Sequence, residues 1–155
     1  MSLKVNYKAI EHERLGDAPF VGALISACDC PFNCPNCFNQ ELKYYPILSE
    51  DVDDIISHVK ENIFNDGIIL GGLEWSLQAD ECLALCRAAK QQGLKTMVYT
   101  GCDYDSPYVK RLIESGVVDY VKCGRYKEAE RTANHIEFGV TLASANQHIY
   151  KIGDD

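Results

Sequence analysis

No stretch of this chain offers the roughly 20 consecutive apolar residues that a membrane-spanning helix needs. Its first ten residues, MSLKVNYKAI, lack the long apolar centre of a secretion signal. A cytoplasmic protein with no membrane partner is the expectation. Basic residues are also short: 15 Lys and Arg face 23 Asp and Glu, for a net charge of -8. A general nucleic-acid binder needs cations to neutralise phosphates, so nucleic-acid partners are not expected either. The locally more basic stretch 110–131 reads as a solvated surface. Linkers, repeats and low-complexity segments are missing, and aromatic residues make up 10%, which argues against disorder. A single domain over residues 1–155 follows, long enough to bury a core.

What the chain has in quantity is cysteine, eight in all. In a reducing compartment these are thiols or metal ligands rather than disulfides. Four fall within CDCPFNCPNC, residues 28–37, and three of them form C-x3-C-x2-C: Cys30, Cys34 and Cys37. Thiolates are soft ligands that suit zinc or iron–sulfur clusters. A closed zinc site wants four ligands. A [4Fe–4S] cubane held by three cysteines leaves one iron open to a substrate, whereas an electron-transfer cluster is capped by four thiolates. Cys28 would complete a structural zinc site, giving a non-catalytic binding module. However, Cys28 and Cys30 in extended chain share one face and compete for space, so Cys28 reads as a small core residue.

Around this loop, strands and helices alternate. Residues 20–27 read as a buried strand, and Ser49-Glu50-Asp51 as the capped start of a helix whose apolar positions run to Ile63. Residues 68–70 form a second strand ending in Gly71-Gly72, and 78–92 a second helix stopped by Gly93. Residues 95–100 are a third strand, Ser106-Pro107 opens a third helix, and 117–123 are a fourth strand. The tail beyond Arg131 holds one or two more. Such βα units imply an α/β fold around a mainly parallel sheet, as a partial barrel or an open sheet. A complete eightfold barrel needs about 250 residues. In these folds chemistry gathers at the carboxyl ends of the strands. The cysteine loop, Gly71-Gly72-Leu73-Glu74, Thr100-Gly101 and Lys122 through Arg125 all fall there.

Cys30-x3-Cys34-x2-Cys37 after the first strand, with Gly71-Gly72-x-Glu74 after the second, resembles the radical S-adenosylmethionine (SAM) enzymes. CPNCFN (34–39), GGLE (71–74), DYVKCGRY (119–126) and NQHIY (146–150) are most similar to the small activating enzymes of anaerobic (class III) ribonucleotide reductase. The resemblance covers most of the chain. It departs in two places: Asn36 precedes the third cysteine where an aromatic is usual, and Trp75 follows Glu74 where proline is usual.

The resemblance implies a partial (βα) barrel of radical SAM type. It implies a [4Fe–4S] cluster on Cys30, Cys34 and Cys37, with the fourth iron chelated by the methionine end of SAM. Gly71, Gly72 and Glu74 would receive the SAM ammonium, Lys122 its carboxylate, and Thr100 and Phe38 would line the pocket. Reductive cleavage of SAM would give a 5′-deoxyadenosyl radical, which takes hydrogen from a glycine of the reductase. The implied partners are that glycyl radical enzyme and a one-electron donor such as flavodoxin or ferredoxin. A small radical SAM enzyme acting on a small molecule or modified base is the alternative enzyme reading. Cys82 and Cys86, four apart on one helix face, read as core. Cys102 and Cys123 fall near the presumed mouth without a second cluster spacing. His12, His58, His135 and His148 form no motif, and Trp75 walls the pocket or fills the core.

Overall fold

A computed structural model describes residues 3–30 and 40–152. Among these, ten strands and three α-helices follow in chain order. Strands β1 (Lys4–Tyr7) and β2 (Ala9–Arg14) precede β3 (Gly22–Ser26), which leads to the cysteine loop. Then come β4 (Leu48–Asp51), α1 (Val52–Glu61), β5 (Gly67–Gly71), α2 (Ala79–Gln91), β6 (Lys95–Tyr99), α3 (Pro107–Ser115) and β7 (Tyr120–Cys123). The hairpin β8 (Arg131–Glu137) and β9 (Val140–Ser144) and the strand β10 (His148–Lys151) end the described chain.

The central sheet has six strands in the order β10-β7-β6-β5-β3-β2. The inner four are parallel, and β2 and β10 close the edges antiparallel. The sheet is thus mixed at its edges and parallel at its centre, and it does not close on itself. Its parallel strands follow each other without reversal of direction. With right-handed crossovers, α1, α2 and α3 must then fall on the same face.

The core shows this. Ala23, Ile25, Ile68, Leu70, Val98 and Val121 pack with Ile55, Val59, Leu85, Cys86, Val109 and Leu112 of the helices. The opposite face carries Leu24, Ile69, Met97, Tyr99, Tyr120 and Ile149. It is covered by Ala18 and Phe20 before β3 and by Val140 and Leu142 of the hairpin.

Each helix is amphipathic in the way its sequence dictates. Val52, Ile55, Ile56 and Val59 of α1 are buried while Asp53, Asp54 and His58 are exposed. Ser106 starts α3 as expected, its hydroxyl accepting from the Val109 N–H at 3.4 Å. The start of α1 differs. Ser49, Glu50 and Asp51 are not a cap but part of β4, which pairs with β1 through Lys4↔Asp51 to Tyr7↔Leu48. Asp51 makes no side-chain cap bond, and the Val52 N–H donates to Leu3 O at 2.9 Å. Ile63 lies beyond the helix and is exposed. A tertiary ladder overrides a good local cap here, because it satisfies several backbone groups rather than one.

Cys82, Cys86 and Trp75 are fully buried, and the Trp75 indole N–H donates to Ile25 O at 3.1 Å. All three are core residues. Cys28 is only half-buried. Among the described residues no helix is long and apolar enough to cross a membrane.

Close strand packing makes one glycine indispensable. A Cβ on Gly67 would lie 2.4 Å from Lys95 O and 2.5 Å from the Phe20 ring. Backbone cannot retreat cheaply from such contacts, so Gly67→Ala is expected to lower stability by about 1–3 kcal/mol. Urea unfolding of the two proteins side by side checks this; matching midpoints would refute it.

Candidate functional site

The carboxyl ends of β3, β5, β6 and β7 are joined by hydrogen bonds across the sheet. The Ala27 N–H donates to Gly71 O at 3.1 Å, and the Glu74 N–H to Asp29 O at 2.8 Å. Asp29 also accepts from the Cys30 N–H through its Oδ1, at 2.8 Å. The entrance to the cysteine loop and the Gly71-Gly72 turn are therefore held side by side, although 40 positions apart in sequence.

Glu74 is 3% exposed, and its carboxylate is taken up by the protein. Oε2 accepts from the Ser76 N–H and the Thr100 hydroxyl, both at 2.9 Å, and Oε1 from the Gly101 N–H at 2.7 Å. The Cys102 N–H donates to Thr100 Oγ1 at 3.0 Å, the Thr100 N–H to Lys122 O at 2.9 Å, and the Gly124 N–H to Cys102 O at 3.2 Å. Glu74 and Thr100 thus form one latch between β5 and β6. Each carboxylate oxygen has two lone pairs, so Oε1 retains acceptor capacity for one more donor.

A second feature runs across the face opposite the helices. Ser26 pairs with Gly71 and Tyr99 with Lys122. Leu70 pairs with Val98, so the next step of the ladder sets Gly71 beside Tyr99. A Cβ on Gly71 would stand 3.4 Å from Tyr99 Cβ. Ser26, Gly71, Tyr99 and Lys122 hence form one cross-strand row: a hydroxyl, bare backbone, a ring and an ammonium. The Lys122 Nζ sits 4.4 Å above the centre of the Tyr99 ring, a cation–π geometry. The Tyr99 hydroxyl donates to Asp17 O, and burial raises its pKa well above the ordinary phenol value.

Gly72 adopts φ +75°, which non-glycine residues rarely do, and a Cβ there would come 2.3 Å from Ser26 Oγ. Ser26 Oγ is the one buried side-chain oxygen or nitrogen among the described residues without a hydrogen-bond partner. An unpaired buried hydroxyl costs about 1–3 kcal/mol. An orphaned hydroxyl against a turn stripped of side chains is a cradle suited to the polar end of a small ligand.

Of the residues singled out in the sequence, Cys30, Gly71, Gly72, Glu74, Thr100 and Lys122 come together at this end of the sheet. Cys34, Cys37 and Phe38 lie outside the described residues. Three contributors carried no motif. Ser26 was legible as the hydroxyl in the otherwise apolar GALIS strand. Tyr99 read simply as a strand residue. Lys8 had no signal: it is 7% exposed, and its ammonium donates to Lys43 O at 3.1 Å and Tyr45 O at 2.6 Å. It clamps the chain just after the cysteine loop to the N-terminal strands.

The nearby thiols are set apart by their surroundings. Burial pushes the Cys28 thiol up, opposed by the field of Lys8. Burial likewise pushes Cys123 up to about 12, with Cys102, Asp103 and Glu74 adding to it. A thiol so shifted is about one part in 10⁴ thiolate at pH 8, and the thiolate is the reactive form. Cys123 is therefore expected to resist iodoacetamide at pH 8 until the chain is unfolded. Mass spectrometry of the labelled peptides reads this, and prompt labelling in the folded protein would contradict it.

The latch makes a separate claim. Glu74→Gln replaces one acceptor oxygen by an amide that faces N–H or O–H donors. A loss of about 1–3 kcal/mol is expected in the apoprotein without any ligand. An unchanged denaturation midpoint would remove the latch role.

A Methanocaldococcus jannaschii protein, MJ1227, named as a candidate glycyl-radical enzyme activating enzyme, is 29% identical over 112 residues, which are 68% of this chain. The chain spans about half of that relative's length, the matched part being 46% of it. Residues 21–150 match the family of 4Fe-4S single cluster domains, so the cysteine loop, the Gly71-Gly72 turn and the latch all fall within the match, and the chain belongs to that family.

Proposed function

We propose that the protein is a radical SAM activase that installs a glycyl radical on an anaerobic ribonucleotide reductase in the cytoplasm. Reading the sheet as a partial barrel is supported by the unreversed strand order, with all three helices on one face. The observation that carries the proposal is the Glu74 N–H to Asp29 O bond, which seats the entrance of the cysteine loop beside the glycine turn. A cluster ligand loop and an amino-acid cradle must adjoin if one small ligand is to touch both.

In this reading Cys30, Cys34 and Cys37 would hold a [4Fe–4S] cluster with three thiolates, so that SAM could complete it. When bound, the cluster and SAM supply a 5′-deoxyadenosyl radical able to take a hydrogen atom from a glycine Cα. The chain's own residues bind and orient. The Gly71-Gly72 backbone admits the methionine end closely, and the spare lone pair of Glu74 Oε1 complements its ammonium. Ser26 Oγ gains a partner from the same end. Lys122, steadied over Tyr99, complements the carboxylate, while Thr100 fixes the Glu74 carboxylate; Phe38, outside the described residues, would contribute to the cofactor pocket. Lys8 fastens the chain that follows the cysteine loop to the N-terminal strands. The redox chemistry also requires an electron donor of the flavodoxin or ferredoxin kind. The name of MJ1227 supports a glycyl radical enzyme as partner.

Anaerobic analysis of the purified protein should find about four irons and four sulfides per chain. One zinc without iron would mean a structural site instead. Reduced protein mixed with SAM and a class III reductase should yield a glycyl radical doublet by electron paramagnetic resonance. SAM cleavage without that doublet would point to a small-molecule substrate. Cys34→Ala should abolish SAM cleavage and Cys86→Ala leave it largely intact, both read by release of 5′-deoxyadenosine. Equal loss in both would overturn the division of the cysteines.

A further inference from the structure

Outside this site, the carboxyl-terminal part of the chain gathers two histidines and a glutamate. His135 and Glu137 are two apart on β8 and so project from one face. His148 opens β10, next to them in space. The His135 Nε2 lies 2.5 Å from Glu137 Oε2, and the His148 Nδ1 lies 2.8 Å from the same oxygen. One nitrogen from each ring and this oxygen are all within 4.8 Å of one another. The other glutamate oxygen is occupied, since Oε1 accepts from the Ile149 N–H at 2.8 Å.

The far side of His135 decides what this cluster can hold. Its Nδ1 is 3.3 Å from Ser144 O. A carbonyl oxygen only accepts, so Nδ1 carries the hydrogen and a neutral ring directs its Nε2 lone pair at Glu137 Oε2. Two lone pairs 2.5 Å apart repel unless a cation lies between them. A proton can serve, at the cost of making His135 an imidazolium. A metal ion serves with both rings neutral, as imidazole ligands require, once this contact opens to the roughly 3.3 Å that separates two donors on a tetrahedral ion.

We propose that His135, Glu137 and His148 form a binding site for a divalent borderline metal ion, zinc by preference, that staples the β8–β9 hairpin to edge strand β10. Two imidazoles and one carboxylate form a known zinc donor set, with the fourth position left to water. Ring orientation by a backbone carbonyl, and carboxylate orientation by a backbone N–H, are the outer contacts that metal ligands ordinarily have. Softer ions that favour thiolate are disfavoured by a set of nitrogen and oxygen donors. The location gives the staple a purpose. His148 pairs with Cys123, the last residue of β7, so the site borders the functional end of the sheet. It would hold the hairpin, whose Val140 and Leu142 cover the inner face, against the edge of that sheet. This inference is independent of whether SAM is the ligand.

The test uses the full chain carrying its anaerobically reconstituted cluster, incubated with zinc and then desalted. Retention of about one zinc per chain beyond the irons is expected, with a raised melting temperature. Zinc-edge X-ray absorption should show nitrogen and oxygen neighbours at about 2.0–2.1 Å. His148→Ala and His135→Ala should each bind zinc at least tenfold more weakly. Glu137→Gln keeps an acceptor for the Ile149 N–H and preserves packing, and it should weaken zinc binding in a chain that still folds. Zinc lost on desalting would leave only an imidazolium–carboxylate pair and overturn the proposal. Sulfur neighbours at about 2.3 Å, or unchanged affinity in Glu137→Gln, would do the same.

Discussion

A carboxylate taken from water into a protein interior must find donors enough to replace its hydration, or it becomes a net liability. Glu74 meets that demand with three donors from two neighbouring segments, its own turn and the tip of β6. Because those donors are fixed backbone and a short hydroxyl, the carboxylate determines where they sit. The Glu74 N–H in turn fixes Asp29 and with it the beginning of the cysteine loop. Three strand ends that are separate in sequence are thereby set relative to one another by one side chain and its backbone. The site's geometry rests on this junction more than on burial of apolar surface, which holds the sheet but does not specify its loops.

The junction also changes the meaning of the glycines before it. Gly-Gly was expected to leave room for a ligand. Gly72 is in addition obligatory to the apoprotein, since a side chain there would collide with Ser26. The Ser26 hydroxyl is the buried side-chain polar atom that finds no partner among the described residues. Polar groups left unsatisfied in a core are costly enough to be rare, and under the proposed function this one lies beside the turn that receives the ligand.

Much of this was legible beforehand because it depends on short-range rules. The four parallel strands, the helices after them and the cysteine and glycine motifs follow from apolar runs, turn residues and fixed spacing. What escaped depends on long-range pairing. Ser49 to Asp51 look like a helix cap until β1 arrives to pair with them. Strand β2, AIEHER, is an edge strand with mostly polar, outward residues, and so lacks the apolar run that betrays a central strand. Lys8 is buried because distant carbonyls receive it, and no local pattern announces that. The histidine cluster is of the same kind: His135 and His148 are far from any motif spacing, and the packing of the β8–β9 hairpin beside β10 brings both rings to Glu137.

These long-range features share a placement that bears on function. The helices shield one face of the sheet, while the other is closed by lighter pieces, the segment around Ala18 and Phe20 and the β8–β9 hairpin. The row from Ser26 to Lys122 opens on that lightly covered face. A hairpin with few buried residues of its own is marginal unless something fastens it. Here Glu137 reaches from β8 to the backbone of β10, and two imidazoles converge on the same carboxylate. Helices on one side and a light cover of a short segment and a hairpin on the other make the two faces of the sheet unequal. Under the proposed function that asymmetry has a use, since a site enclosed by helices all round could admit only a small molecule and not a backbone glycine of another protein.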